Sequence, residues 1–224
     1  MQLAGGTGEV LGDGSGRNAV NNYKRKRGRK MNNKYPTREV AEELLREAES
    51  CNPGPWGDHS RVVAQCAEKI ASVCPGMDAE KAYVVGLLHD IGRKFGVRHF
   101  GHIYDGYKYM EAMGYGAAAR ICVSHSFSIQ RIEDYIGNFD VSPEQQKIVE
   151  DVLYGLKYDD YDLLIQLCDS IGTAEGPVRM EERMGDVKRR YGAFPQKKWD
   201  KNMSLRPYFE EKAGRDLYEL LNIE

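Results

Sequence analysis

From Pro36 onward the chain alternates apolar stripes at helical spacing with short breaks rich in Gly, Pro and Asn. Val40, Leu44, Leu45 and Ala48 set the first stripe over 37–50, and Thr37 stands where an N-cap belongs. Cys51-Asn52-Pro53-Gly54-Pro55-Trp56-Gly57 cannot continue that helix and reads as a loop. A second helix follows over 58–73 with Asp58 as its cap. It carries His59, Val62, Val63, Cys66, Ile70 and Val73 on one face, so His59 turns toward the core. Residues 79–91, opened by Asp78, form a more fully apolar helix that ends in His89 and Asp90.

Further helices are expected from about Ile103 to Met113, from Ala117 to about His125, and from Ser142-Pro143 to Leu156. Tyr161 to Ala174 reads as a buried helix with Leu163, Leu164, Leu167 and Ile171 inward and Asp169 among them. Beyond about residue 176 the chain is more polar. Met180, Met184, Val187 and Tyr191 keep a helical period, and a last helix is expected near Leu217 to Leu221. With no strand alternation, the fold class is all-α.

Residues 1–34 differ from the rest: they are rich in Gly, Asn and basic side chains, and such a segment cannot bury enough surface to offset its ordering entropy. Disorder is expected there, and one folded domain over 35–224. The chain has 32 basic and 34 acidic residues. The head holds eight of the former and two of the latter, leaving 24 against 32 in an acidic body. That argues against a nucleic-acid-coating surface on the main domain. The run 24–30, Lys-Arg-Lys-Arg-Gly-Arg-Lys, is the only candidate nucleic-acid contact, and a solvated tail is the better explanation of it. The glycines of the head fit no phosphate-loop pattern.

The five cysteines, Cys51, Cys66, Cys74, Cys122 and Cys168, form no CxxC pair, which fits a reducing compartment better than a disulfide framework. Cys66 and Cys122 fall in apolar helical patterns, as core residues do. No apolar run approaches the length of a membrane span, so a cytoplasmic protein with no membrane partner is expected. A homo-oligomer is compatible with the sequence.

The chemistry is concentrated in one segment. All five histidines, His59, His89, His99, His102 and His125, lie between positions 59 and 125, and Asp90 and Asp169 sit in apolar surroundings where an ionised carboxylate is rarely left without a partner. Imidazole and carboxylate suit borderline and harder divalent ions, and the lack of paired cysteines disfavours a thiolate site.

The order His59, His89-Asp90, His102, His125, Asp169 resembles that of the HD superfamily of metal-dependent phosphohydrolases, over about residues 37–175. The resemblance implies an HD-domain helical bundle in which His59, His89, Asp90 and Asp169 hold one divalent metal. Gly101-His102-Ile103-Tyr104-Asp105-Gly106 and Val123-Ser124-His125-Ser126 resemble the dinuclear branch, which includes dinucleoside-tetraphosphate hydrolases. By that likeness His102 and His125 serve a second metal and Asp90 bridges. Fe, Mn, Co, Ni and Zn all suit such ligands. Two ions roughly 3.5 to 4 Å apart can hold a hydroxide nucleophile and clamp phosphoryl oxygens, so no Ser or Cys nucleophile is required.

Close to the doublet, Arg93 is the expected catalytic contact to a substrate phosphate, with Lys94 and His99 as further candidates. His99 also competes with His102 as a ligand; His102 is preferred because the Gly106 and helical Tyr107-Lys108-Tyr109-Met110 that follow it resemble the family's helix at that point. Asp58, Asp105 and Glu175 are candidates for orienting water or protonating a leaving group. The stretch with Arg179, Arg183, Lys188, Arg189, Arg190, Lys197 and Lys198 beside Tyr191, Phe194 and Trp199 either stands at the pocket, capping it or binding a nucleotide, or is a salt-bridged surface helix interleaved with Glu181, Glu182 and Asp186. The expected activity is hydrolysis of a phosphomonoester or phosphoanhydride in a nucleotide or other small phosphorylated metabolite. A di-iron oxygenase acting on a small organic substrate and a non-catalytic metal- or nucleotide-binding module are the alternatives.

Overall fold

The computed structural model describes residues 31–224. The basic run 24–30 and most of the expected disordered head lie outside these residues. Helix α1 spans Arg38–Cys51, with the Thr37 hydroxyl accepting from the Val40 amide. Helix α2 spans Trp56–Val73. It begins two residues before the expected start, so the loop shrinks to residues 52–55, because the Trp56 indole donates to the Asn52 carbonyl (2.8 Å) and tucks the turn in. Asp58 therefore lies inside the first turn and pairs with Arg61 at 3.1 Å rather than capping the helix.

Helix α3 covers Ala79–Leu87 and is capped by the Asp78 side chain. It stops before His89 and Asp90, which occupy a turn leading into a short 3-10 segment, Ile91–Phe95. The expected helix to residue 91 is thus cut short. Helices α4 (Gly101–Ala112) and α5 (Gly116–Ser124) follow. Helix α6 (Pro143–Gly155) opens with a full Ser142/Gln145 capping box, and α7 covers Asp160–Asp169.

Helix α7 does not reach Ala174 as its apolar pattern predicted. The Ser170 hydroxyl donates to the Gln166 carbonyl, and the chain folds back so that the Val178 amide bonds Ile171 and an isolated bridge joins Gly172 to Pro177. Gly176 sits at φ +148°, a conformation side-chain-bearing residues avoid. That bridge is the sole β-type pairing among the described residues, so the all-α class holds.

The polar C-terminal stretch contributes α8 (Met180–Tyr191), α9 (Gln196–Met203), α10 (Leu205–Ala213) and α11 (Leu217–Leu221). Met180, Met184, Leu205, Phe209, Leu217 and Leu221 are buried in one cluster with Val63 and Ile70 of α2 and Leu164 and Leu167 of α7. Removing this much apolar side-chain surface from water, at about 2 kcal/mol per large residue, ties the extension to the helical core. All five cysteines are free thiols; Cys66, Cys74, Cys122 and Cys168 are buried and Cys51 is exposed. No helix among the described residues is long and apolar enough to cross a membrane.

Candidate metal centre

Four imidazoles form a continuous chain through the centre of the fold. His59 and His89 have ring centroids 5.2 Å apart, His89 and His125 5.1 Å, and His102 and His125 5.4 Å. Each comes from a different element: the first turn of α2, the turn after α3, the first turn of α4 and the end of α5. The close approach needed for this depends on Gly92. A β-carbon there would lie 1.9 Å from the His102 carbonyl oxygen and 2.5 Å from the Gly106 amide nitrogen, so only glycine lets the 3-10 segment lie against α4.

Six side chains fall into two adjoining trios. His59, His89 and Asp169 make one, and Asp90, His102 and His125 the other, each with one donor atom per residue within 4.8 Å of the others. In the first, His59 Nε2 is 3.1 Å and His89 Nε2 4.0 Å from Asp169 Oδ1. In the second, His102 Nε2 is 3.2 Å and His125 Nε2 3.6 Å from Asp90 Oδ1. The trios meet at Asp90, whose Oδ2 lies 3.9 Å from His89 Nε2.

The hydrogen bonds fix which imidazole atoms are available. His89 Nδ1 lies 2.7 Å from the Gly86 carbonyl, His125 Nδ1 3.1 Å from the Ile121 carbonyl, and His102 Nδ1 against the His99 carbonyl. A carbonyl oxygen only accepts, so each Nδ1 carries the proton and donates it, leaving the Nε2 lone pair toward the centre. This is how second-layer contacts orient metal-binding histidines.

Charging the rings is unfavourable as well. Burial pushes His89 down to about 4 and His102 down to about 3 from an ordinary 6.5. Burial works to raise the Asp90 and Asp169 carboxyls, but it is overcome by Arg93 and the surrounding histidines at Asp90 and by the His59 hydrogen bond at Asp169. Both stay below the usual carboxylate range.

The result is a cluster of acceptors facing acceptors. His102 Nε2 and His125 Nε2 are 3.3 Å apart. Buried His89 Nε2 and Asp90 Oδ1 have no hydrogen-bond partner. Lone pairs and a carboxylate oxygen converging at such distances, out of water, are costly unless a cation lies between them. The donor set, imidazole nitrogen and carboxylate oxygen, fits a divalent ion in each trio.

Beside this centre opens a cavity of about 690 Å³. Its lining includes His59, Asp90, His102, His125 and Asp169 together with Arg93, Tyr135, Glu175, Arg183, Arg190 and Lys198. The basic stretch of α8 and α9 thus walls the pocket, one of the two readings its composition allowed. It is also ion-paired, with Asp186 meeting Arg190 at 2.8 Å and Arg189 at 3.4 Å.

Other predicted residues fall elsewhere. Arg93 lines the cavity, but its Nε is committed to Asp90 Oδ2 at 2.5 Å, the oxygen nearest His89. Lys94 does not face the cavity: its amine is bound by Glu47 (2.8 Å) and Tyr109 (3.2 Å), which removes it as a phosphate contact. His99 joins neither trio; its ring lies 5.9 Å from that of Tyr191, and its carbonyl orients His102. Asp105 is paired with Arg98, and Asp58 with Arg61. Neither lines the cavity, whereas Glu175 does. The Ser126 hydroxyl lies 3.0 Å from His125 Nε2, within reach to donate to it where no cation takes that lone pair. Tyr135 was not singled out in the sequence; it lies in an irregular loop and carries no local signal for the cavity wall.

The family model described as HD domain matches residues 56–174, more than half of the 224-residue chain. No curated protein and no solved structure matches at a significant level. The match begins at the first residue of α2, three positions before His59, and ends five positions after Asp169, so all six side chains of the two trios fall inside it. The chain belongs to the HD domain family, whose members are generally metal-dependent phosphohydrolases.

Proposed function

We propose that this protein is a divalent-metal phosphohydrolase acting on a phosphomonoester or phosphoanhydride of a small metabolite. The observation that carries this reading is the face-to-face array of Asp90 Oδ1, His102 Nε2 and His125 Nε2, all within 3.2 to 3.6 Å with no proton to share. His59, His89 and Asp169 would hold one ion and Asp90, His102 and His125 the other, with Asp90 between them. When bound, such a pair supplies a water of lowered pKa and a positive clamp for phosphoryl oxygens. Fe, Mn, Co, Ni and Zn are all compatible with these donors.

The chain's own groups support the same chemistry. The Nδ1 hydrogen bonds to Gly86, His99 and Ile121 hold three imidazoles in one tautomer and one orientation. Arg93 compensates the buried Asp90 carboxylate at its second oxygen, which keeps that group ionised. The cavity is large enough for a small phosphorylated molecule, and Arg183, Arg190 and Lys198 are among the side chains that line it. The testing experiment measures metal content and anaerobic phosphate release across nucleotides and other phosphate esters for the wild type, His89→Ala and Asp90→Ala. Joint loss of metal and phosphate release in both variants is expected. Full turnover in a metal-free variant contradicts the reading, and oxygen consumption by an iron-loaded protein that releases no phosphate supports the oxygenase instead.

A further inference from the structure

Two cations on the cavity wall come from the helices beyond the family match, and the local structure does not explain them. Lys198 of α9 is only 8% exposed, yet no carboxylate lies within ion-pairing distance of its amine among the described residues. Its Nζ donates to the Ser126 carbonyl at 2.8 Å and the Asp134 carbonyl at 3.2 Å. An ammonium has three donors, so one N–H is left over in a side chain that lines the cavity. Burial pushes the amine down to about 8, against the pull of Asp169 and Asp134.

Arg183 of α8 is the second. Its Nε is buried with no hydrogen-bond partner. Its nearest carboxylate, Asp186, is 3.8 Å away and is already shared with Arg189 and Arg190. The two helices are pinned together next to these residues, where the Asn202 amide of α9 donates to the Met184 sulfur at 3.7 Å and to the Ser170 hydroxyl at 3.1 Å. Ser170 directly follows Asp169, so the wall holding Lys198 and Arg183 is anchored to the first trio.

Resting on the phosphohydrolase reading, we propose that Lys198 and Arg183 hold the phosphoryl oxygens of the substrate against the two trios, as its anion-binding wall. The leftover Lys198 donor and the unpaired Arg183 Nε–H are the direct contacts. They stand beside Arg93, which lines the same cavity but has its Nε committed to Asp90.

The test uses the full chain loaded with Mn²⁺ and titrated with inorganic phosphate by calorimetry, with metal content measured in parallel. Lys198→Gln and Arg183→Gln are each expected to keep the wild-type metal content and to weaken phosphate binding about tenfold, the loss of one charge-assisted hydrogen bond. Lys198→Arg should recover most of that loss. Wild-type phosphate affinity in both Gln variants overturns the proposal. So does a loss that merely tracks missing metal, since Lys198 would then only hold the Ser126 loop. Arg183 is more exposed than Lys198 and serves as the second probe if Lys198→Gln folds poorly. If the metal-loaded wild type takes up no phosphate at all, the phosphohydrolase reading itself fails.

Discussion

His102 and His125 present their Nε2 atoms to one another at 3.3 Å while backbone carbonyls hold both Nδ1 protons. Neither ring has a proton to place between them, and Asp90 Oδ1, 3.2 and 3.6 Å away, adds negative charge to the same point. A bound cation relieves all three groups together, so metal binding should be coupled to the stability of the whole fold.

That coupling is measurable by chelation. At metal concentrations near 100 times the dissociation constant, binding adds about 2.7 kcal/mol of stability. For a domain of this size that is a Tm rise of roughly 5 to 10 °C. Differential scanning fluorimetry with and without a chelator should show this shift in the wild type and a much smaller one in His89→Ala.

Acid should unfold the metal-free protein early. His89 and His102 are pushed below 6.5, to about 4 and about 3, so between pH 6.5 and 4 the unfolded chain binds protons that the folded one refuses. Stability therefore falls as pH drops through that window, by up to about 1.4 kcal/mol per pH unit for each histidine. Asp90 and Asp169, held low, extend the loss below pH 4. Urea denaturation of chelated protein from pH 7 to pH 4 checks the slope; a flat profile would mean that these rings are not buried neutral.

Arg93→Ala should leave Asp90 without its counter-ion. Breaking a buried ion pair costs about 3 to 5 kcal/mol, and the lower figure applies because the Arg93 side chain is 32% exposed. The cost should be recovered in part on metal loading, which supplies charge at the same carboxylate. Chemical denaturation of the variant with and without Mn²⁺ measures both quantities.

Gly92→Ala should strike one trio and spare the other. The added methyl meets the His102 carbonyl, so α4 must move and His102 with it, at roughly 2 kcal/mol or more. None of the nearest atoms that the methyl would meet belongs to His59, His89 or Asp169. Metal analysis is expected to show one ion lost and one retained.

How far the sequence foretold this site depends on how local each cause is. His59, His89 and Asp169 could be found because each interrupts or ends an apolar stripe, where a polar group calls for compensation. The choice of His102 over His99 was likewise local, turning on the helix that follows. The partner of Arg93 was hidden because it depends on the turn after Leu87, where a 3-10 segment brings positions 90 and 93 together. Lys198 was hidden for the opposite reason. It meets Ser126 across 72 positions of sequence, and in a basic run it reads as one more solvated lysine. The ends of α3 and α7 were misplaced because apolar runs continue past them. Local turn contacts that apolar periodicity does not encode, the His89 bond to Gly86 and the fold-back between Gly172 and Pro177, mark where those helices stop.

The central claim is that two cations sit among these six side chains. Anomalous X-ray diffraction from crystals of the metal-loaded protein, collected at the absorption edge of the loaded metal, tests it most directly. Two peaks are expected, one within His59, His89 and Asp169 and one within Asp90, His102 and His125. Peaks only elsewhere on the chain, or none at full loading, would contradict it.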